Sequence, residues 1–476
     1  MAANPRTSSA GAGPRAGFNA TYVWSISAVA AMGGLLFGYD WIVISGTDLF
    51  YEAHFHLTSA LQVGWAKSSA LLGCLLGALL SGALSDRFGR KRLLILSALL
   101  FAVSSVATGL AGSFGVFVLW RIAGGAAIGL ASSLSPMYIA EVAPAHARGS
   151  LVSLNQLTIV IGILLAQFVN WQIGTLHPLP EQPTADQIAA SWSGQTGWRW
   201  MFAVTALPSL LFLIGVFFVP ESPRWLAKNG SPERARVILA KIGGGDYARA
   251  ALAEIRATLA NEGRQVSFRD LLEPRLRRTL FLGIALAVLQ QWCGINVIFY
   301  YAKDVFKDSG FKVADILISI VFIGSVNLLA TLVALKTVDR WGRRPLMLFG
   351  YAGLTGLFVI MGLCFAMDTR GVHMLVIVLL AIACYAMSLA PITWVLIAEI
   401  FPNRIRGAAM SVAVTSLWIA CFVLTETFPL LREKLGPAVT FWIYAAICLS
   451  GFLWLRSKLP ETKGKTLEEL EQELAA

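Results

Sequence analysis

Read for the order of apolar and polar positions, the chain consists mainly of apolar runs of about twenty residues, the length that crosses a bilayer as a helix. They lie near 22–46, 63–83, 93–112, 115–138, 151–171, 199–219, 279–301, 316–338, 346–367, 374–397, 408–429 and 438–457. The pattern predicts an all-α membrane protein of about twelve transmembrane helices, arranged as two six-helix bundles. One long polar stretch, 225–278, separates the halves. Within it Ser231-Pro232-Glu233 supplies an N-cap, a proline at the first helical position and an acid in the first turn, Gly243-Gly244-Gly245 stops that helix, and a second helical run follows at 246–262. The Pro/Gln/Thr-rich stretch 172–197 reads as an outer loop, and Thr466-x-x-Glu469 as the capping box of a polar C-terminal helix. The expected units are a tail (1–21), an N-terminal bundle (22–224), a helical linker (225–278), a C-terminal bundle (279–459) and a second tail (460–476).

The polar gaps repeat. Asp86-Arg87-Phe88-Gly89-Arg90-Lys91 returns as Asp339-Arg340-Trp341-Gly342-Arg343-Arg344, Glu141 with Arg148 returns as Glu399 with Arg406, and Pro220-Glu221-Ser222-Pro223-Arg224 returns as Pro460-Glu461-Thr462-Lys463-Gly464. Three motifs in one order, twice, point to a duplicated bundle of membrane helices, which is the architecture of transporters. The glycine suits a tight turn, and the aspartate can pair with arginines or face a helix N-terminus. A single copy could be a solvated basic loop. Two copies favour charge networks that tie the same-side ends of the two halves together and break when that side opens.

Composition agrees with the pattern: 57% of residues are hydrophobic and 14% charged, against roughly 25% charged in soluble domains, and mean hydropathy is +0.68. The net charge of +11 would fit a nucleic-acid binder, but its placement excludes that. Arg and Lys crowd 87–92, 224–278, 340–344, 404–406 and 456–465 and are missing from 47–62 and 172–197. The basic gaps therefore read as cytoplasmic, with both termini inside a plasma membrane, the inner membrane of a bacterium. Lysines within 303–312 are an exception on the outer side. The six cysteines all fall in predicted spans without metal-ligand spacing, so no metal, cofactor or disulfide is expected. The N-terminal stretch lacks a cleavage pattern and reads as a cytoplasmic extension, which makes Asn19-Ala20-Thr21 a chance match to a glycosylation acceptor.

The spans carry two kinds of polar residue. Asp40 and Arg121 sit at similar depth in the outer half of the membrane, where an isolated charge costs several kcal/mol, so each is the natural partner of the other. The pair could be a static tie, or a protonation switch in which the aspartate is neutralised when the arginine moves away. Gln290, Gln291, Asn296 and Tyr300 share one span, and Gln156, Asn327, Trp394 and Trp418 interrupt others. Amides pair with hydroxyls and aromatic rings cover the C–H faces of a sugar, while no charged side chain accompanies them, so a neutral polyhydroxylated solute is favoured. Any one amide could instead bridge helices. With no nucleophile–base set in the spans, an enzyme is disfavoured.

Gly33-Gly34-Leu35-Leu36-Phe37-Gly38-Tyr39-Asp40, Gln290-Gln291-x-x-Gly294-Ile295-Asn296-x-x-x-Tyr300-Tyr301 and the two Pro-Glu-Ser/Thr motifs closely resemble the sugar porter family of the major facilitator superfamily, from about residue 22 to 472. The resemblance extends to bacterial xylose:proton symporters, plant hexose:proton symporters and animal facilitative glucose carriers. It implies that Gln156, Gln290, Gln291, Asn296, Asn327 and Trp394 contact the sugar, that Phe37, Tyr300 and Trp418 line the cavity, and that Asp40 couples transport to protons with Arg121 as its partner. Ile163 stands where xylose symporters have glutamine, which leans toward a hexose. Leu417 and Ala390 replace the family's usual amide and glycine, and Thr205 stands where xylose symporters carry a membrane glutamate. The implied activity is proton-coupled import of a monosaccharide by one copy of the chain in the bilayer. A uniporter with a structural Asp40 and a non-transporting sugar receptor are the alternatives.

Overall fold

A computed structural model describes residues 18–144, 147–177, 179–180, 183–261, 273–369, 371–401 and 405–463. Among these the secondary structure is helical. The elements of the first half are α1 (Ala20–His54), α2 (Ala60–Phe88), α3 (Arg90–Gly109), α4 (Phe114–Val142), α5 (Arg148–Thr175), α6 (Ala185–Ala190), a π-helical turn (Ser193–Gly197), α7 (Trp198–Ala203) and α8 (Ala206–Phe218). The connecting stretch holds α9 (Pro223–Lys228) and α10 (Pro232–Asn261). The second half comprises α11 (Pro274–Trp292), α12 (Ile295–Tyr300), α13 (Ala302–Asp308), α14 (Val313–Trp341), α15 (Arg343–Ala366), α16 (Val372–Met387), α17 (Leu389–Ile400) and α18 (Arg406–Lys458).

Eleven described segments are long and apolar enough to cross a bilayer. The last, Ala408–Lys458, is two helices, because Gly436 adopts φ 78° and ψ 165° in its interior, a conformation open essentially to glycine alone. Twelve passes result, as the apolar runs predict. The same device acts in α10, where Gly244 at φ 84° breaks the helix within the Gly243-Gly244-Gly245 run. Asn19 is the N-cap of α1, its side chain accepting the Tyr22 N–H, and its own N–H donates to the Ile242 carbonyl of α10. The stretch read as an outer loop is partly helical: Thr184 and Gln187 form a capping box at the start of α6.

Membrane helices gain little from the hydrophobic effect among themselves and depend on close backbone approach. In the first half α2 and α4 cross at glycines. A Cβ on Gly77 would stand 2.2 Å from the Ala126 carbonyl oxygen, and one on Gly125 1.9 Å from that of Ala70. Two faces of the bundle follow: a near face, where α1 begins and α18 ends, and a far face, where α1 ends and α2 begins. The halves meet along α1 with α12 and α13, α2 with α18, and α5 with α14. The N-terminal tail before residue 18, most of the linker after residue 261 and the Thr466–Glu469 capping box lie outside the described residues.

Candidate functional site

The second half opens with a broken helix. Gly294, left-handed at φ 86°, separates α11 from α12 and lets Tyr444 pack over it. The break brings the last turn of α11 beside the first turn of α12, so amides five residues apart in the chain meet. Asn296 donates to the Gln291 side-chain oxygen, Gln291 donates to the Gln290 oxygen at 2.7 Å, and Gln290 donates to the Tyr385 hydroxyl of α16 at 2.5 Å. All four are buried. Asn296 also approaches the Cys421 sulfur of α18 at 3.8 Å. This chain joins three of the sequence-predicted amides to two residues, Tyr385 and Cys421, that no motif singled out.

Aromatic rings cross from one half to the other beside it. Phe37 lies 6.1 Å from Trp418, Trp41 lies 5.2 Å from Tyr300, and Phe37 and Trp41 are 6.4 Å apart. The buried Trp418 indole N–H has no hydrogen-bond partner among the described residues, so it is a donor available to a ligand. Its neighbour Leu417 is buried as well.

Gln156, Ile163 and Asn327 belong to a different seam. Gln156 and Ile163 are two turns apart on α5, and Gln167 is one turn further. Gln167 meets α14 so closely that a Cβ on Gly324, one turn before Asn327, would stand 1.9 Å from its side-chain oxygen. The three residues thus lie along the α5–α14 seam between the halves, with Asn327 and Ile163 buried and Gln156 half-buried. Trp394 on α17 is 39% exposed and makes no described contact with the amide chain.

In the first half Asp40 and Arg121 face each other across α1 and α4, 3% and 2% exposed. One guanidinium nitrogen, Nη1, reaches both carboxylate oxygens at 3.3 and 3.4 Å, while Nε is buried without a partner among the described residues. Charge-assisted bonds of this kind are usually about 2.7–2.9 Å and often two-pronged. The pair is therefore formed but loosely held. Gly124, one turn beyond Arg121, packs beside the pair, where a Cβ would make only ordinary contact with Asp40 Oδ2 at 3.5 Å.

The repeated motifs fold alike. Gly89 (φ 92°) and Gly342 (φ 89°) turn the chain into α3 and α15. Glu221 accepts the Arg90 and Lys91 N–H groups at 2.9 and 3.2 Å, and Glu461 accepts those of Arg343 and Arg344 at 3.0 and 3.2 Å. Each glutamate neutralises the positive end of a helix dipole. Arg90 then forks onto Glu141 at 2.9 and 3.0 Å, and Arg343 meets Glu399 at 3.1 Å, with Thr462 donating to Glu399 at 2.5 Å. Asp86 pairs with Arg90 at 3.2 Å and Lys228 at 2.9 Å.

Among the described residues these bonds join groups within one half, or the first half to α9, and so brace each half. The helix-capping carboxylates are Glu221 and Glu461 rather than Asp86, because they come from the segments that pack over the glycine turns. Arg87 is exposed beside the Phe88 ring, Arg148 and Arg340 are exposed, and Arg224 is half-buried. The side chains of Asp339 and Arg406 lie outside the described residues.

Among the described residues, charged groups of the two halves meet at the far face. Lys67 of α2 is fully buried, bonded to Asp48 of α1 at 2.7 Å and to the Tyr300 carbonyl of α12 at 2.9 Å. Lys303 bonds Glu52, and Ser68 donates to Glu426 at 2.6 Å. The sequence offered Lys303 only as an exception to the charge bias and Lys67 not at all.

Comparison with known proteins settles the family. The family model described as "Sugar (and other) transporter" matches residues 26–474. The chain belongs to that family. It is a sugar porter of the major facilitator superfamily, a group of multi-pass membrane transporters rather than enzymes. Similar relatives include the D-xylose-proton symporter of Escherichia coli, 40% identical over 95% of this chain and 96% of that protein. A second is the glucose transport protein of Synechocystis, 41% identical over 95% and 97%. Among solved structures, the inward open conformation of the xylose transporter XylE from E. coli superimposes with a TM-score of 0.83 at 39% identity, covering 95% of this chain and all of that one. The same transporter bound to 6-bromo-6-deoxy-D-glucose gives 0.79.

Proposed function

We propose that this sugar porter is a proton-coupled symporter that imports a neutral monosaccharide, a hexose such as glucose, across a bacterial inner membrane by alternating access. The observation that carries the reading is the Asp40–Arg121 pair: a buried carboxylate held through one nitrogen at 3.3 Å can exchange its cation for a proton without dismantling the surrounding helices. Gln290, Gln291 and Asn296 form an amide chain free of ionised groups, suited to hydroxyls, with the Trp418 indole N–H as a further donor. Phe37 and Tyr300 supply aromatic walls, while Gln156, Ile163 and Asn327 reach the sugar from the α5–α14 seam, and Trp394 and Leu417 close the side formed by α17 and α18. Apolar Ile163 and Leu417 fit a hexose that needs fewer amide contacts on those walls.

The relatives' names agree with the chemistry: the E. coli relative and an arabinose relative from Bacillus subtilis are both called proton symporters, and the Synechocystis relative a glucose transport protein. Basic residues crowd the near face, which makes that face cytoplasmic and leaves the termini inside. Sugar binding outside follows protonation of Asp40; closure of the far face and opening of the near face then release both inward. A single copy carries every residue in this scheme and acts as a monomer. Asp40→Asn, which mimics the permanently protonated acid, should abolish accumulation driven by a pH gradient while sugar exchange persists. Full accumulation by that variant would make Asp40 structural and leave a uniporter.

A further inference from the structure

Outside the sugar and proton sites, the most heavily charged buried cluster is at the far face. Lys67 is 0% exposed in a membrane helix, a costly place for an ammonium unless every donor is used. Its Nζ contacts Asp48 at 2.7 Å, the Tyr300 main-chain carbonyl at 2.9 Å, Asp304 at 3.8 Å and Glu52 at 3.9 Å, and it stands 3.9 Å over the Tyr301 ring. Lys303 answers from the second half, bonding Glu52 and lying 3.9 Å from Asp48. Arg432 of α18 completes the group, 3.5 Å from Asp304 and 2.6 Å from Asp308.

Tyr300 is the last residue of α12, the short helix that carries Asn296. A carbonyl at a helix C-terminus has no partner within the helix and favours a cation. Lys67, from the other half of the molecule, supplies one. The partition of charges also suits a contact that opens and closes. If the halves part here, Lys67 keeps Asp48 and Glu52 on its own side, while Arg432 keeps Asp304 and Asp308 on its own. Lys67 and Arg432 thus each retain a carboxylate in both states; what is lost is the Lys67 grip on α12 and the cross-pairs, those of Lys303 with Glu52 and Asp48 among them.

We propose that Lys67 is a positioning residue that clamps the far face shut, fastening α12 to the first half and so linking closure of that face to the placement of the sugar-site amide Asn296. The clamp rests on the transport reading above, in which the far face is the outside.

The test uses full-length protein in right-side-out vesicles with a reporter cysteine at Ser68→Cys. Ser68 is buried and bonded to Glu426 across the halves, so the thiol is reached only when the far face opens. Labelling by a membrane-impermeant maleimide is corrected by the same measurement without the reporter. Adding Lys67→Met should speed labelling several-fold, whereas Lys67→Arg, which keeps a cation, should stay near the parent. If Lys67→Met does not reach the membrane, Asp304→Asn removes the second-half carboxylate and should speed labelling in the same direction. Parent-like labelling in the variant that is recovered overturns the clamp. Sugar exchange by the parent on the same vesicles reads the transport assignment independently: its absence would remove the function, and its presence with unchanged labelling would remove only the clamp.

Discussion

At the scale of single residues, the amide chain makes Gln291 the position where one change does most. Gln291 donates to Gln290 and accepts from Asn296, so alanine removes a sugar partner and leaves both neighbours short of one bond. A lost partner in a buried polar site costs about 1–3 kcal/mol, or roughly ten- to a hundredfold in affinity. Calorimetry on purified protein should show that loss for Gln291→Ala. An unchanged affinity would move the sugar away from this chain. Tyr385 should be felt as well: phenylalanine there deprives Gln290 of its acceptor, with a smaller loss of affinity, because Gln290 keeps its bond to Gln291.

At the scale of elements, the repeated loop is the sharpest case. Gly342 stands at φ 89° and ψ 161°, and a Cβ there would lie 2.8 Å from Glu461 Oε2. Alanine must therefore bear backbone strain on the order of 1–3 kcal/mol and push away the cap of α15. Thermal unfolding in detergent should show Gly342→Ala less stable than the parent, and Gly89→Ala likewise. Equal stability would mean the turns relax without cost. How much of this was legible follows from what each element depends on. The apolar runs revealed the spans because bilayer thickness fixes their length, and the breaks at Gly243-Gly244 and at the loop glycines were visible because glycine there has a backbone reason. The Gln290-Gln291 and Asn296 grouping was visible because the residues are close in sequence. Partners brought together by helix crossing were not. The Gln290–Tyr385 bond spans 95 positions, the Glu221–Arg90 cap 131 and the Lys67–Tyr300 contact 233, and neither apolar period nor local motif encodes such distances. The near-face motifs suggested a lock between halves, and the bonds described there, such as Arg90–Glu141 and Arg343–Glu399, were not legible as braces within each half.

At the scale of the whole molecule, two rigidly braced halves meet along seams that carry the amides, the aromatic rings and the far-face ions. Asp304, on the short helix α13, shows how that ionic group responds to pH. Burial alone would raise its carboxyl, but Lys303, Lys67, Arg432 and Lys307 outweigh burial and hold it below the ordinary carboxylate range. A depressed folded-state value means that its stabilisation is full above the unfolded carboxylate range and is lost only as pH falls through the lower folded value. The difference in melting temperature between the parent and Asp304→Asn should therefore stay constant across neutral and mildly acidic pH and shrink only in stronger acid; a difference that vanished in mild acid would show Asp304 unpaired. The central claim concerns the coupling of sugar to protons, and it is read most directly by adding glucose to a lightly buffered suspension of vesicles containing the purified parent protein, with no gradient imposed and a pH electrode outside. Symport predicts that the external medium turns alkaline when sugar is added and that a protonophore abolishes the signal. Sugar entry, followed by label in the same vesicles, with no accompanying pH change would contradict it.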